Sequence, residues 1–261
     1  MNTEDNKKLP ILSVQSLHFS IGGTSILNGI ECRIFEGETV GVIGPNGSGK
    51  TTFFNCLSGF CMPDAGEILF KGTKITDMPP HKRARLGIGR VFQNFGVFKE
   101  MTVIENVIVA IESREALWRS FFPWGTQNKR NRSEAYDFLE KVGLHEKAEE
   151  KTSSLSGGQM RLLEIIRALA FGADLFLLDE PTAGVSPKMK DDVAKLIRLL
   201  QEEDKTIMVI EHDLNFIEGF CERIMVIDVG RIVLDGEPDK VRRDPLLQKI
   251  YFGKDANEKT L

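Results

Sequence analysis

The chain has 261 residues, 41 % of them hydrophobic, and a formal net charge of -4, which allows one large domain or two small ones around a sizeable core. The charge balance excludes a global basic field that would attract nucleic acid or anionic lipid. No uncharged apolar run approaches the roughly 20 residues that cross a bilayer, so any membrane process would need a partner that spans.

The opening MNTEDNKKLP is polar and lacks the apolar core of a signal peptide, so the expected location is the cytoplasm. From residue 11, ILSVQSLHF and IECRIF read as strands framing a turn at Gly22-Gly23. Thr39 to Ile43 (TVGVI) is a buried-strand run, followed by a glycine loop and a helix beginning near Gly49. GEILF (Gly66 to Phe70) is a further strand, and the Pro79-Pro80 breaker precedes HKRAR, which reads as a solvated helix face. Between residues 100 and 154, TVIENVIVAI and SEAYDFLEKVGL carry helical periodicity around the aromatic and cationic stretch LWRSFFPWGTQNKRNR. This region reads as a helical insert. A helix from Ser156 to Ala170 follows, then a strand (Leu175 to Leu178), a long helix (Pro187 to Glu203), a strand (Thr206 to Ile210) and two short strands between Arg223 and Val233. Strands alternating with helices imply an α/β fold with a mostly parallel sheet. No segment repeats at a period of about 20 to 50 residues. Cys32, Cys56, Cys61 and Cys221 lack a tight metal-ligand spacing and read as reduced structural thiols.

The strongest chemical signal is Gly44-Pro45-Asn46-Gly47-Ser48-Gly49-Lys50-Thr51, continued by Thr52, which satisfies GxxxxGK[ST] between a strand and a helix. Its glycines let backbone N–H groups wrap phosphate oxygens. Lys50 then supplies a point charge to the β- and γ-phosphates and the Thr51 hydroxyl a magnesium ligand. The second element is the apolar strand ending in Asp179-Glu180. Asp179 is placed to hold magnesium through its water shell, and Glu180 to polarise a water for in-line attack. The third is Leu155-Ser156-Gly157-Gly158-Gln159 before a helix. Ser156 suits the N-cap, and a glycine-rich helix start is a second phosphate site in the same chain. Two such sites need either two nucleotides or two chains. Nothing resembles the NKxD guanine reader, so ATP is the expected nucleotide.

The string LSGGQ, with Ser156 standing 23 residues before Asp179, resembles the signature of ABC ATPases. That resemblance implies a P-loop fold of ABC type, with a mostly parallel core sheet, an antiparallel β subdomain and a helical signature subdomain. It implies further roles: Gln93 in GRVFQN as the Q-loop glutamine on magnesium and water, and His212 in IEHD as the switch histidine donating to the γ-phosphate. By the same analogy Ser156 and Gly158 face the γ-phosphate held by the other protomer, so two ATP molecules lie between two chains. Two positions depart from the pattern. Ile21 stands where an aromatic residue usually stacks on adenine, which leaves Phe19 open to either stacking or core packing. Ser186 stands where many relatives have aspartate.

Across residues 10 to 253 the wording is most similar to the cytoplasmic ATPases of branched-chain amino acid importers, in VFQNFGVFKEMTVIENV, GGQMRLLEIIRAL, DEPTAGVSP and DPLLQKIYFG. ATPases of urea or short-amide import and of lipopolysaccharide export share much of it, and a non-transport ABC ATPase is a remoter alternative. The resemblance implies ATP and Mg2+ as ligands, transmembrane permease subunits and a second ATPase chain, self or related, as partners, and a peripheral place on the inner face of the membrane. Neither a nucleic acid partner nor a membrane span of its own is expected. The expected division is one nucleotide-binding domain over 1–261. Within it, 10–92 and 172–236 form the ATP-binding core with the β subdomain, 93–171 the helical subdomain and 237–261 a C-terminal helical extension. The insert Leu117 to Trp124 is open to a packing role or a permease-docking role.

Overall fold

The computed structural model describes residues 9–92, 96–115 and 124–252. In chain order the elements are β1 (Pro10–Ile21), β2 (Thr24–Phe35), β3 (Thr39–Ile43), α1 (Lys50–Ser58), β4 (Ala65–Phe70), β5 (Thr73–Lys74), α2 (Pro80–Leu86) and β6 (Ile88–Val91). Then follow α3 (Val103–Glu115), α4 (Trp124–Lys141), α5 (Gly157–Phe171), β7 (Leu175–Asp179), α6 (Pro187–Glu202) and β8 (Thr206–Ile210). The chain closes with α7 (Leu214–Glu218), β9 (Arg223–Asp228), β10 (Arg231–Gly236), α8 (Pro238–Arg243) and α9 (Pro245–Phe252). It divides into two compact units, Met1–Arg83 with Asp204–Leu261, and Ala84–Glu203.

In the first unit, β1 and β2 form an antiparallel hairpin through Gly22 and Gly23, and β4 and β5 extend that sheet in the order β2-β1-β4-β5. A bulge at Ser16, with φ of 44°, sets three steps of β1 against two of β2, between Val14↔Cys32 and Leu17↔Ile30. Val14 and Leu17, an odd number of residues apart, are thereby both buried. A second sheet in this unit places β3 between β8 and β9, parallel to both, with β10 antiparallel on β9. Every residue of β3 and of β8 is buried, as unbroken apolar runs in covered parallel strands require.

The basic segment HKRAR does form a helix, α2, and His81, Lys82 and Arg85 are exposed on it as expected. Arg83 is not. It is fully buried, and its guanidinium donates to the carbonyls of Met78 (2.8 Å), Cys56 (2.5 Å), Leu57 (3.0 Å) and Thr76 (2.7 Å). Cys56 and Leu57 are in the last turn of α1, where carbonyls run out of helical donors; Cys56 O has only a 3.4 Å contact from the cap Gly59 N besides the guanidinium. A rigid fork of donors satisfies several such groups at once, which overturns the solvated reading at this one position.

In the second unit β6 and β7 pair in parallel, and α3 packs on α4 and α5, with α5 also against α6. Asn106 is fully buried on α3, yet satisfied. Its Nδ2 donates to Phe98 O, Thr102 O and Thr152 Oγ1, and its Oδ1 accepts from Phe98 N. The insert residues 117–123 lie outside the described residues. Among those described, no helix is long and apolar enough to cross a membrane.

Burial raises all four thiols, with Cys32 and Cys56 pushed up to about 12. Cys61 is the only one of the four not fully enclosed. Because the thiolate is the reactive form, iodoacetamide at about pH 8 labels Cys61 first in the native chain, and the other three only after unfolding. Mass spectrometry of the peptides checks this, and labelling of Cys32 at the rate of Cys61 would contradict it.

Candidate active site

Each unit carries its own set of candidate residues, and the first set surrounds the loop after β3. The backbone leaves the strand at Gly44, with φ of 149°, so close to the neighbouring strand that a Cβ would lie 2.0 Å from Ile227 O. It enters α1 at Gly49, with φ of 105°, where a Cβ would meet Ile26 O and Leu27 Cδ2 at 3.0 Å. Only glycine fits either place. No side chain caps α1 at Gly49, so the amides of its first turn suit an anionic ligand. The loop is braced from outside: Gly230 N donates to Ser48 O at 3.0 Å, Asn28 N to Gly230 O at 2.8 Å, and Asn28 Nδ2 to Val229 O at 2.9 Å. The Lys50 side chain is buried, and its Nζ donates to Gly44 O and Pro45 O, each at 2.8 Å. Its charge therefore stays within the loop. Ser48 Oγ is buried with no hydrogen-bond partner among the described residues, a polar atom a phosphate oxygen would satisfy. Thr51 is exposed and Thr52 half-buried.

His212 belongs to the same unit. Because Val42 pairs with Ile210 in the parallel register of β3 and β8, Gly44 and His212 each stand two residues beyond that pair, just past the ends of adjacent strands. Ligands gather at this carboxyl edge of α/β sheets. The His212 side chain is exposed, and its amide donates to Glu211 Oε2 at 3.3 Å. Phe19 is half-buried and sits opposite Leu27 on β2, whereas Ile21 is 59 % exposed.

The second unit holds the signature string and the acidic pair. Ser156 is the N-cap of α5 in a reciprocal capping box: its Oγ accepts from Gln159 N, and Gln159 Oε1 accepts from Ser156 N. Gly157 opens the helix. Gly158 packs on α6 so tightly that a Cβ would come within 2.5 Å of Met189. Asp179 ends β7, is 2 % exposed, and pairs with Arg90 Nη2 at 2.7 Å. Burial pulls the Arg90 guanidinium below its ordinary value, while Asp179 works the other way. Glu180 has φ of 47°, a conformation non-glycine residues rarely adopt and one that concentrates at functional positions.

Gln93 lies outside the described residues, but both ends of its segment are held. Glu164 Oε1 accepts from Phe92 N and from Gly96 N, each at 3.2 Å. Arg161 donates to Glu164 Oε2 at 2.7 Å and also to Phe92 O, and Arg167 donates to Gly96 O at 2.6 Å. Burial raises the Glu164 carboxyl, and Arg161 opposes that shift. Arg90, Arg161 and Glu164 were not among the sequence-derived candidates. The signal available was their charge: an arginine on a short apolar strand, and an i,i+3 pair inside the apolar run RLLEIIRAL.

Comparison with known proteins identifies the family. The ABC transporter family pattern matches residues 27–183. The chain is 40 % identical, over 94 % of its length and 98 % of the relative, to the high-affinity branched-chain amino acid transport ATP-binding protein BraF of Pseudomonas aeruginosa. Its identity to LivG of Escherichia coli K12, named for the same transport, is 38 % over the same shares. Among solved structures it is similar to the ADP conformation of an ATP-binding cassette of an ABC transporter, with a TM-score of 0.81 and 30 % identity over 94 % of this chain and 100 % of that one.

Proposed function

The chain belongs to the ABC transporter family as an ATP-binding, ATP-hydrolysing subunit, and from that premise we propose that it energises branched-chain amino acid import through separate membrane-spanning subunits. The observation that carries the substrate class is near full-length similarity to two proteins named for that transport. Their similarity covers 94 % of the chain, far more than the phosphate loop that all phosphate-loop proteins share.

In this reading Gly44 to Thr52 cradle the ATP phosphates through backbone amides, and Lys50 supplies positive charge to them. Phe19 stacks on adenine or packs in the core. Thr51, Asp179 and Gln93 hold Mg2+, an ion that binds few protein oxygens and keeps water and phosphate as its remaining ligands. Held there, the ion would supply positive charge to the β- and γ-phosphates. Glu180 orients a water and accepts its proton as the water attacks the γ-phosphate in line, and His212 donates a hydrogen bond to that phosphate. Ser156, Gly157, Gly158 and Gln159 present a helix start to the nucleotide on a second ATPase chain, identical or related. Shared phosphate charge then draws two chains together around two ATP molecules, and hydrolysis divides it. The permease subunits move with this closing and opening, and they hold the chain at the inner membrane face.

Uptake tests the assignment. Cells lacking this chain lose radiolabelled leucine, isoleucine and valine uptake by roughly tenfold or more, the scale expected when the energising step is removed. The wild-type chain restores it and Lys50→Ala does not. Normal branched-chain uptake with loss of urea uptake instead would move the substrate class elsewhere.

A further inference from the structure

We infer that Tyr251 is a positioning residue of the phosphate loop: its hydroxyl oxygen accepts the amide hydrogen of Gly44 and fixes the peptide from which the loop departs. The inference rests on the reading of that loop as the ATP site.

The bond is 2.9 Å long and joins residues 207 positions apart. Gly44 is the point where β3 stops and the loop begins, and it is constrained on three sides. Its Cα faces Ile227 O with no room for a side chain, its carbonyl accepts from Lys50 Nζ, and its N–H is bound by the tyrosine. Nothing in the GxxxxGK[ST] pattern supplies that acceptor. The chain takes it from α9, which Leu247, 3 % exposed, anchors, and which packs on α8 with its own buried Val241. Burial raises the phenol above its ordinary value and the Gly44 contact pulls the other way, so the hydroxyl stays protonated at neutral pH and accepts through a lone pair.

Gly44 is buried, so without this oxygen its N–H has no partner inside the fold and the peptide rotates to find one. The carbonyl that holds the Lys50 ammonium belongs to the next peptide unit, joined to this one at the Gly44 Cα. A displaced Gly44 therefore displaces the charge that meets the phosphates, and the effect falls on nucleotide binding more than on the chemical step.

The test is Tyr251→Phe, which keeps the ring volume and removes only the oxygen. The probe is ATP with magnesium, read by calorimetric Kd and by steady-state kinetics. The expected result is a roughly tenfold rise in Kd and KM, the scale of one buried donor left unpaired, with kcat lowered less than about threefold. Faster hydrogen exchange at the Gly44 amide is expected in the same variant. A merely structural tyrosine would lower thermal stability without this split between KM and kcat. An unchanged Kd together with unchanged Gly44 exchange overturns the inference. Lys50→Ala separates it from the underlying reading: lost ATP binding there with normal binding in Tyr251→Phe sinks only the tyrosine assignment. Normal ATP binding by Lys50→Ala sinks the phosphate-loop reading and the tyrosine assignment with it.

Discussion

Glu180→Gln retains ATP binding and lowers ATP turnover by roughly 10²-fold or more, the scale of a lost general base. The amide has nearly the volume of the acid and sits on the same left-handed backbone, φ 47°, so the substitution changes proton acceptance and charge while leaving shape alone. In the proposed reading binding charge comes from Lys50 and the loop amides, so the expected affinity is unchanged. The consequence extends to assembly. If hydrolysis is what separates two chains around ATP, the blocked variant accumulates as an ATP-dependent dimer, and light scattering with and without ATP and magnesium reads this directly. Wild-type turnover in Glu180→Gln would refute the base assignment. A variant that binds ATP, fails to hydrolyse it and stays monomeric would point to a related second ATPase chain as the natural partner.

Arg83→Met destabilises the fold by about 3–5 kcal/mol, the range seen when one member of a buried charged network is removed. Methionine matches the length of the stem and supplies none of the donors. The carbonyls of Cys56, Leu57, Thr76 and Met78 lose the guanidinium donor together, Cys56 O keeping only its 3.4 Å contact with Gly59 N, and two of them end the helix that begins at Lys50. For a chain of this size the loss corresponds to a melting temperature lower by about 10 °C. Arg83→Lys recovers only part of it, because a single ammonium cannot span a fork of four acceptors. Urea denaturation with an unchanged slope checks that the effect is on the native state. A shift within about 0.5 kcal/mol, the range of ordinary surface substitutions, would return Arg83 to the solvated face its sequence context suggests.

That contrast marks what the sequence could and could not convey. The runs at Thr39, Leu175 and Thr206 are short, continuous and apolar, the first and last of them also rich in β-branched residues, and so read as buried strands, and the loop after the first of them is specified by spacing alone. The α/β class and the place of the phosphate loop followed. The strand β6, four residues long and containing Gly89 and Arg90, has no period to detect; pairing with β7 makes it a strand. The five-residue helix α7 is likewise too short to show a face. Arg83, Arg90 and Glu164 are charges whose partners are distant in sequence or are backbone atoms, and neither kind of partner leaves a mark in local composition. Gly158 was legible as part of a glycine-rich helix start, yet its steric reason is Met189 on another helix.

The order in which the chain leaves the ribosome gives the discontinuous first unit a kinetic meaning. Strand β3 emerges early, but its neighbours β8 and β9 follow only after the whole of Ala84–Glu203 has been made. At synthesis rates of about 5–20 residues per second, the apolar run TVGVI stays unpaired for several seconds, long enough for chaperone capture. The unit Ala84–Glu203 is continuous and can collapse during that wait. Nucleotide cannot meet a finished loop until Tyr251 has been translated, because the hydroxyl bonded to the Gly44 amide lies 207 positions further along the chain.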